Sequence, residues 1–142
     1  MKLPEQWATP PFPAPVKSWH ADAYPAIDPS RPELSLKGRS VVVSGGGGTI
    51  GFATVRALGT AGAGHLGIAR RTPKTLNETT SKLKGQDPGT KPVAVTGDIS
   101  SFSSLEYAFK QIRQQADNPV DILVHNDGHL ASLGPIASTE PE

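Results

Sequence analysis

Four consecutive glycines at positions 45–48 are the feature that most constrains the fold of this 142-residue chain. They follow the apolar run Val41-Val42-Val43 and precede a stretch, residues 49–61, whose apolar side chains recur at helical spacing. An apolar run without polar alternation is typical of a strand that is buried on both faces of a sheet. The pattern therefore predicts a strand, a tight loop and a helix in direct succession.

The same alternation continues along the chain. Further strands are predicted at residues 65–69, 92–96 and 121–125, with helices at residues 73–83 and 101–115 between them. The helix at 101–115 is predicted to be amphipathic with a Ser101 cap, and its apolar face holds Phe102, Leu105, Ala108, Phe109 and Ile112. Strands that alternate with helices indicate a parallel sheet that helices cover on both faces. We predict an α/β domain of three layers with four parallel strands.

Residues 1–37 differ from this pattern because they hold more than half of the fourteen prolines. Proline removes a backbone donor and breaks helices and central strands, so this segment is predicted to be an irregular arm ahead of a domain at residues 38–142. Two alternatives stay open for the arm. It is a disordered leader, or a surface strap whose aromatic residues (Trp7, Trp19 and Tyr24) pack onto the domain.

The amino-acid composition argues against several classes of function. The net charge is +1 with both signs interspersed, which argues against nucleic acid or a membrane surface as a partner. The absence of cysteine excludes disulfides and thiol catalysis, and the four histidines show no metal-binding spacing. No apolar block resembles a secretory signal or a membrane span. We expect a soluble, cytoplasmic protein without a metal site.

The glycine loop is predicted to bind phosphate. A pyrophosphate needs backbone N–H donors at short range and the positive end of a helix dipole, and glycines let the backbone approach without a Cβ. The alternative is a flexible turn without a ligand. A glycine loop between a buried strand and a helix favours the phosphate site.

The loop resembles the T-G-x-x-x-G-x-G motif of short-chain dehydrogenases/reductases, with Ser44, Gly45 and Gly51 at the first, second and last positions. Thr49 replaces the middle glycine, and its hydroxyl is a candidate for capping the helix or for donating to phosphate. The aromatic and proline residues of the arm also resemble the leader of fungal members. The resemblance implies a Rossmann-type fold with four strands in the order 3-2-1-4, an NAD(P) cofactor and a carbonyl or alcohol substrate. In that order the fourth strand is an open edge through which the chain is able to associate with another copy or a partner.

Two further segments match this family. Asp98-Ile99 resembles the aspartate segment that binds the adenine amino group, although an aspartate at a strand end is as often a turn stabiliser. Asn126 and Gly128 match the N-N-A-G segment after the fourth strand, while His125 and Asp127 depart from it. A carboxylate at Asp127 repels a pyrophosphate if it faces the cofactor. His125 is expected to be a hydrogen-bonded structural residue rather than part of the ligand pocket.

Arg70 and Arg71 end the second strand, where an acidic residue would accept from the ribose hydroxyls of NAD. Two guanidinium groups instead suit a 2′-phosphate, so NADP is favoured over NAD, against the alternative of solvated surface charge. The predicted cofactor-binding residues are Ser44, Gly45, Gly48, Thr49, Ile50, Gly51, Arg70, Arg71, Asp98, Ile99, Asn126 and Gly128.

No catalytic residue is predicted in the chain. The family resemblance implies a serine and a Tyr-x-x-x-Lys pair, in which lysine lowers the tyrosine pKa for proton transfer. Neither tyrosine has that partner, because Tyr24 is followed by Asp28 and Tyr107 by Lys110 at the wrong spacing; Tyr107 is expected to pack instead. Thr139 to Glu142 has the spacing of a helix capping box, which predicts that the chain ends where a further helix begins. We therefore expect a nucleotide-binding portion that is inactive by itself; the alternatives are a non-catalytic nucleotide- or partner-binding fragment and a truncated gene product.

Overall fold

A computed structural model of the chain describes residues 19–20, 23–86 and 90–128. Its strands are β1 (Ser40–Ser44), β2 (His65–Arg70), β3 (Lys91–Thr96) and β4 (Ile122–His125), all parallel and in the order β3-β2-β1-β4. Helices α1 (Thr49–Thr60), α2 (Pro73–Gln86) and α3 (Phe102–Ala116) connect them. The predicted fold and strand order are confirmed. The capping-box segment 139–142 lies outside the described residues.

β1 is buried throughout because it lies between β2 and β4 and has helices on both of its faces. Val41 and Val43 belong to the cluster that α1 and α2 cover, together with Val55 and Leu76. Val42 points to the other face, where Ala108 and Ile112 of α3 complete a second cluster. The continuous valine run is thus explained by burial on two sides.

The start of α3 departs from the prediction that its apolar residues share one buried face. Ala108, Ile112 and Ala116 are buried, whereas Phe102 is 82% exposed and Tyr107, which we expected to pack, is 60% exposed. The first turn of α3 comes after the loop that follows β3, and its Phe102 belongs to neither core cluster. The Ser101 cap is confirmed, since its hydroxyl accepts from the Ser104 N–H at 3.3 Å.

Part of the proline-rich arm contacts the domain. Two short 3₁₀ helices, Pro25–Ile27 and Pro32–Leu34, contain no buried residue, and Trp19 and Tyr24 are both exposed. Trp7 lies outside the described residues, so both alternatives for the arm stay predictions. Leu36 makes the attachment, because it packs against the α1 and α2 cluster and its N–H donates to the Ala61 carbonyl at 2.7 Å.

The β4 edge is open within the described residues, as predicted, and Leu123 is 53% exposed on the α3 side of the sheet. Association through this edge stays a prediction. Among the residues described, no helix is long and apolar enough to cross a membrane.

Asp121 fixes the start of β4 against β1. Its carboxylate accepts from the Ser40 N–H at 2.7 Å and from the Arg39 guanidinium at 3.1 Å, and its own N–H donates to the Ser40 carbonyl at 2.9 Å. The hydrogen bond from the Ser40 N–H, followed by that from Arg39, lowers the Asp121 pKa below its ordinary value of 3.8.

Asp121→Asn is therefore expected to make the stability of the fold fall less steeply as the pH is lowered. The carboxylate contributes fully above pH 3.8, and its contribution is lost as the pH falls from there through the lowered pKa of the folded state. Thermal unfolding of the purified chain between pH 2 and 6 measures this. Asp117→Asn, at an exposed position whose left-handed backbone asparagine tolerates, is the control. If the melting temperatures of both variants fall equally steeply with pH, the stabilising role of the Asp121 carboxylate is contradicted.

Candidate functional site

The carboxyl ends of all four strands meet at one edge of the sheet, because the strands are parallel. A cleft of about 570 Å³ opens there between the loops that follow the strands. It brings together most of the predicted site residues: Gly45, Gly48, Arg70, Arg71, Asp98, Ile99, Asn126 and Gly128. A wider hollow of about 740 Å³ lies along the carboxyl end of α3, away from these strand ends.

Four lining residues were not predicted as part of the site: Thr72, Gly97, Ser100 and Asp127. All four adjoin a predicted residue in a loop that follows a strand, so they could have been predicted from the rule that ligands bind beyond the carboxyl ends of parallel strands. Asp127 was noticed only as a departure from the family pattern. The predicted residues Ser44, Thr49, Ile50 and Gly51 support the cleft or adjoin it.

The glycine loop folds back onto the first turn of α1. Gly45 has φ +64°, a left-handed backbone that favours glycine, and its carbonyl accepts from the Gly48 N–H at 3.0 Å. A Cβ at Gly51 would collide with that same carbonyl oxygen. Both family glycines are therefore required by the path of the chain itself.

α1 begins beside the cleft with unpaired donors. Gly48 is its N-cap and has no side chain to cap it, so the hydroxyl of Thr49 does not serve as the cap. Thr49 and Ile50 are exposed, and their backbone N–H groups have no acceptor within the helix. These donors and the positive end of the helix dipole suit an anion. A role for the Thr49 hydroxyl toward phosphate stays a prediction.

Ser44 joins the end of β1 to the end of β4. Its buried hydroxyl accepts from the Asn126 N–H at 3.2 Å and lies 3.1 Å from His125 Nδ1. The Asn126 amide donates to the Ser44 and Gly45 carbonyls, both at 3.4 Å. His125 is thus hydrogen-bonded as expected, and Asn126 ties β4 to the glycine loop.

The two arginines differ in their surroundings. Arg70 is half-buried and its side chain lies over the glycine loop, while Arg71 is exposed. Neither takes part in an ion pair within the described residues. Within the part of the chain that the structure describes, the cleft thus has two cationic groups that form no ion pair.

Asp98 acts as a turn stabiliser, which was one of its two predicted roles. Its carboxylate accepts from the Ser100 N–H at 3.0 Å and from the Ser100 hydroxyl at 2.7 Å, and its N–H donates to the Ser104 hydroxyl at 3.0 Å. The position of Asp98 at the cleft is compatible with the second role, toward adenine, which stays a prediction.

Asp127 faces the glycine loop. One carboxylate oxygen lies 2.5 Å from the point that a Cβ of Gly45 would occupy, and the residue lines the cleft. The charge is thus close to the backbone that is proposed to hold phosphate. The departure from the family pattern at this position places an anion where the family has alanine.

The comparisons with known proteins agree with this geometry. The family model described as short chain dehydrogenase matches residues 39–142. The chain belongs to the short-chain dehydrogenases. It is 38% identical over 121 residues to a short chain dehydrogenase of Pseudocercospora fijiensis, covering 85% of this chain and 37% of that protein.

A short chain dehydrogenase of Monascus ruber is 30% identical and is matched over 87% of this chain and 41% of its own length. The NADPH-bound short chain oxidoreductase of Pseudomonas aeruginosa superposes with a TM-score of 0.66 at 26% identity, over 75% of this chain and 40% of that chain. The resemblance to fungal members is confirmed. The chain spans about two fifths of the length of these short-chain dehydrogenases.

Replacement of Gly51 by alanine tests the loop geometry. Alanine is favoured over glycine in a helix by about 1 kcal/mol, yet at Gly51 its methyl group collides with the Gly45 carbonyl. We expect Gly51→Ala to weaken NADPH binding at least roughly tenfold, equivalent to about 1.4 kcal/mol, and to lower the melting temperature. Isothermal titration and thermal unfolding measure the two effects.

The matched control is Gly85→Ala in α2, where a Cβ meets nothing within 4 Å. It should leave nucleotide affinity unchanged and stabilise the chain or leave it unaffected. Equal effects of the two substitutions would mean that the contact with the Gly45 carbonyl does not constrain the loop.

Proposed function

We propose that the protein is the nucleotide-binding portion of an NAD(P)-dependent oxidoreductase that acts on an alcohol or carbonyl group, with NADP favoured over NAD. The observation that carries this proposal is the cleft at the carboxyl edge of the sheet. The glycine loop, the start of α1 and two arginines that form no ion pair among the described residues meet there. Backbone donors and guanidinium groups suit the phosphates of a dinucleotide.

The residues present fit such a cofactor. Gly45, Gly48, Thr49, Ile50 and Gly51 would hold the pyrophosphate against the start of α1, where no Cβ of a loop residue intervenes. Asp98 and Ile99 would contact the adenine, and Asn126 and Gly128 the part of the dinucleotide nearest β4, with Ser44 holding Asn126 in place. When bound, the nicotinamide supplies or accepts a hydride.

The preference for NADP rests on Arg70 and Arg71. Both line the cleft at the end of β2, and the residues that line it beside them, Thr72 and Gly97, carry no charge. A 2′-phosphate gains charge-assisted hydrogen bonds from such groups, whereas the ribose hydroxyls of NAD would be better served by a carboxylate. The bound NADPH of the Pseudomonas aeruginosa oxidoreductase supports a cofactor of this type on the same fold.

We propose that this 142-residue sequence binds the nucleotide but does not by itself catalyse hydride transfer. Short-chain dehydrogenases transfer protons through a Tyr-x-x-x-Lys pair, and neither tyrosine of the sequence has lysine four residues later. Tyr107 lies on the exposed side of α3 and does not line the cleft. The substrate site of the whole protein would then be built by other residues.

Titration of the purified chain with NADPH and NADH tests this proposal. We expect saturable binding of both, with NADPH bound more tightly, and no oxidation of NADPH in the presence of simple ketones and aldehydes. Failure of both nucleotides to bind folded chain would overturn the proposal. Tighter binding of NADH would reverse the cofactor assignment, and measurable NADPH oxidation would overturn the proposal of binding without turnover.

Asp127→Asn is expected to tighten binding of either nucleotide. Removing a carboxylate beside the pyrophosphate site relieves repulsion of about 0.5–1 kcal/mol, or roughly two- to fivefold in affinity. The gain should shrink as salt rises, because the Debye length falls from about 10 Å at 0.1 M to about 3 Å at 1 M. Asp117→Asn again serves as the control, since Asp117 lies beyond α3 and away from the cleft. Weaker binding by Asp127→Asn would show that the carboxylate instead accepts a hydrogen bond from the nucleotide.

A further inference from the structure

Among the four loop glycines, Gly47 is the one at which a Cβ would collide with a cationic side chain; a Cβ at Gly48 would meet Arg70 Nη1 only at an ordinary contact distance of 3.5 Å. A Cβ built at Gly47 lies 2.9 Å from Arg70 Cδ and 3.2 Å from Arg70 Nη1. Both distances are shorter than ordinary van der Waals contact, so Arg70 occupies the volume that any larger residue at position 47 would need. The half-buried arginine therefore depends on the absence of a side chain in the loop.

The backbone does not explain glycine at this position. Of the loop glycines, only Gly45 has positive φ. A Cβ at Gly46 would lie 2.8 Å from Ile68 Cγ2, so that position is closed by the core, and a Cβ at Gly48 would meet its nearest neighbours only at 3.4 and 3.5 Å. A side chain at position 47 would instead displace Arg70.

Thr79 closes the other side of this space. Its Oγ1 lies 3.1 Å from the Cβ position of Gly47, and its hydroxyl donates to the Thr75 carbonyl at 2.8 Å within α2. Thr79 is only 4% exposed and is thereby held in place. A methyl group at position 47 is consequently trapped between a fixed threonine and the more easily moved arginine, and Arg70 has to shift.

We propose that Gly47 is a specificity-positioning residue: by leaving its side-chain space empty, it holds the Arg70 guanidinium over the loop, ready for a 2′-phosphate. Gly47 acts through Arg70 and is not itself the group that recognises the phosphate. Arg71, which is exposed and has no such support, contributes less to the discrimination. The inference rests on the proposed function, because it concerns how that site distinguishes NADP from NAD.

The test is the ratio of the NADH and NADPH dissociation constants, measured by titration for the wild type and its variants. Gly47→Ala is expected to lower this ratio roughly three- to tenfold, since a charge-assisted hydrogen bond to the phosphate is lost while the rest of the nucleotide is bound as before. Arg70→Gln should lower it at least as far. In the Arg70→Gln background, Gly47→Ala should change the ratio no further. Gly85→Ala is the matched control and should leave the ratio at the wild-type value.

The outcomes separate this inference from the proposed function. If the wild type binds neither nucleotide, or both equally well, the proposed function or its cofactor preference fails and the inference falls with it. If the wild type prefers NADPH and Gly47→Ala weakens both nucleotides to the same extent, or neither, Gly47 has no positioning role and the inference alone is overturned.

Thermal unfolding shows whether Gly47→Ala folds. If it does not, Arg70→Gln is compared with Arg71→Gln instead. Arg70→Gln and Arg71→Gln replace side chains that contribute little to the core, and the inference requires the loss of NADPH preference to be several times greater for Arg70→Gln. Equal losses, or a greater loss for Arg71→Gln, would overturn it.

Discussion

The contact between the Gly45 carbonyl and Gly51 is the constraint on which the site depends. It brings the end of a fully buried strand directly against the first turn of a helix, and it is possible only because Gly51 has no Cβ. The same carbonyl accepts from the Gly48 N–H and from the Asn126 amide. One oxygen thus fixes the loop, the start of α1 and the end of β4 relative to one another.

The sheet was predictable because its signals are local and repeated. Val41 to Val43 form a continuous apolar run since both faces of β1 are covered, and the boundaries of the other strands fall within a residue or two of the predicted ones. The strand order followed from the alternation of strands and helices together with the family resemblance. The expectations for Phe102 and Tyr107 failed, because helical periodicity does not say how far a helix extends beyond the sheet or which direction it leans.

That the loops after the strands would meet at one edge of the sheet was also predictable, but the arrangement of their side chains was not. Parallel strands bring their carboxyl ends to one edge, so Arg70, Asp98 and Asn126 had to meet there. Whether Arg70 points into solvent or lies over the loop depends on the space at Gly47, which is a contact between residues that are distant in sequence. The direction of the Asp127 carboxylate depends in the same way on the space at Gly45.

The glycines of the loop therefore have two physical consequences. They let a phosphate approach the backbone, and they also admit side chains from neighbouring strands: Arg70 from β2 over Gly47, and Asp127 from beyond β4 against Gly45. These side chains carry opposite charges, so part of the electrostatic potential of the cleft comes from residues outside the loop that its glycines make room for. A change at either glycine would then act on the charge distribution as well as on the shape. For this reason the glycine run and the charged residues at the ends of β2 and β4 are best understood as a single unit.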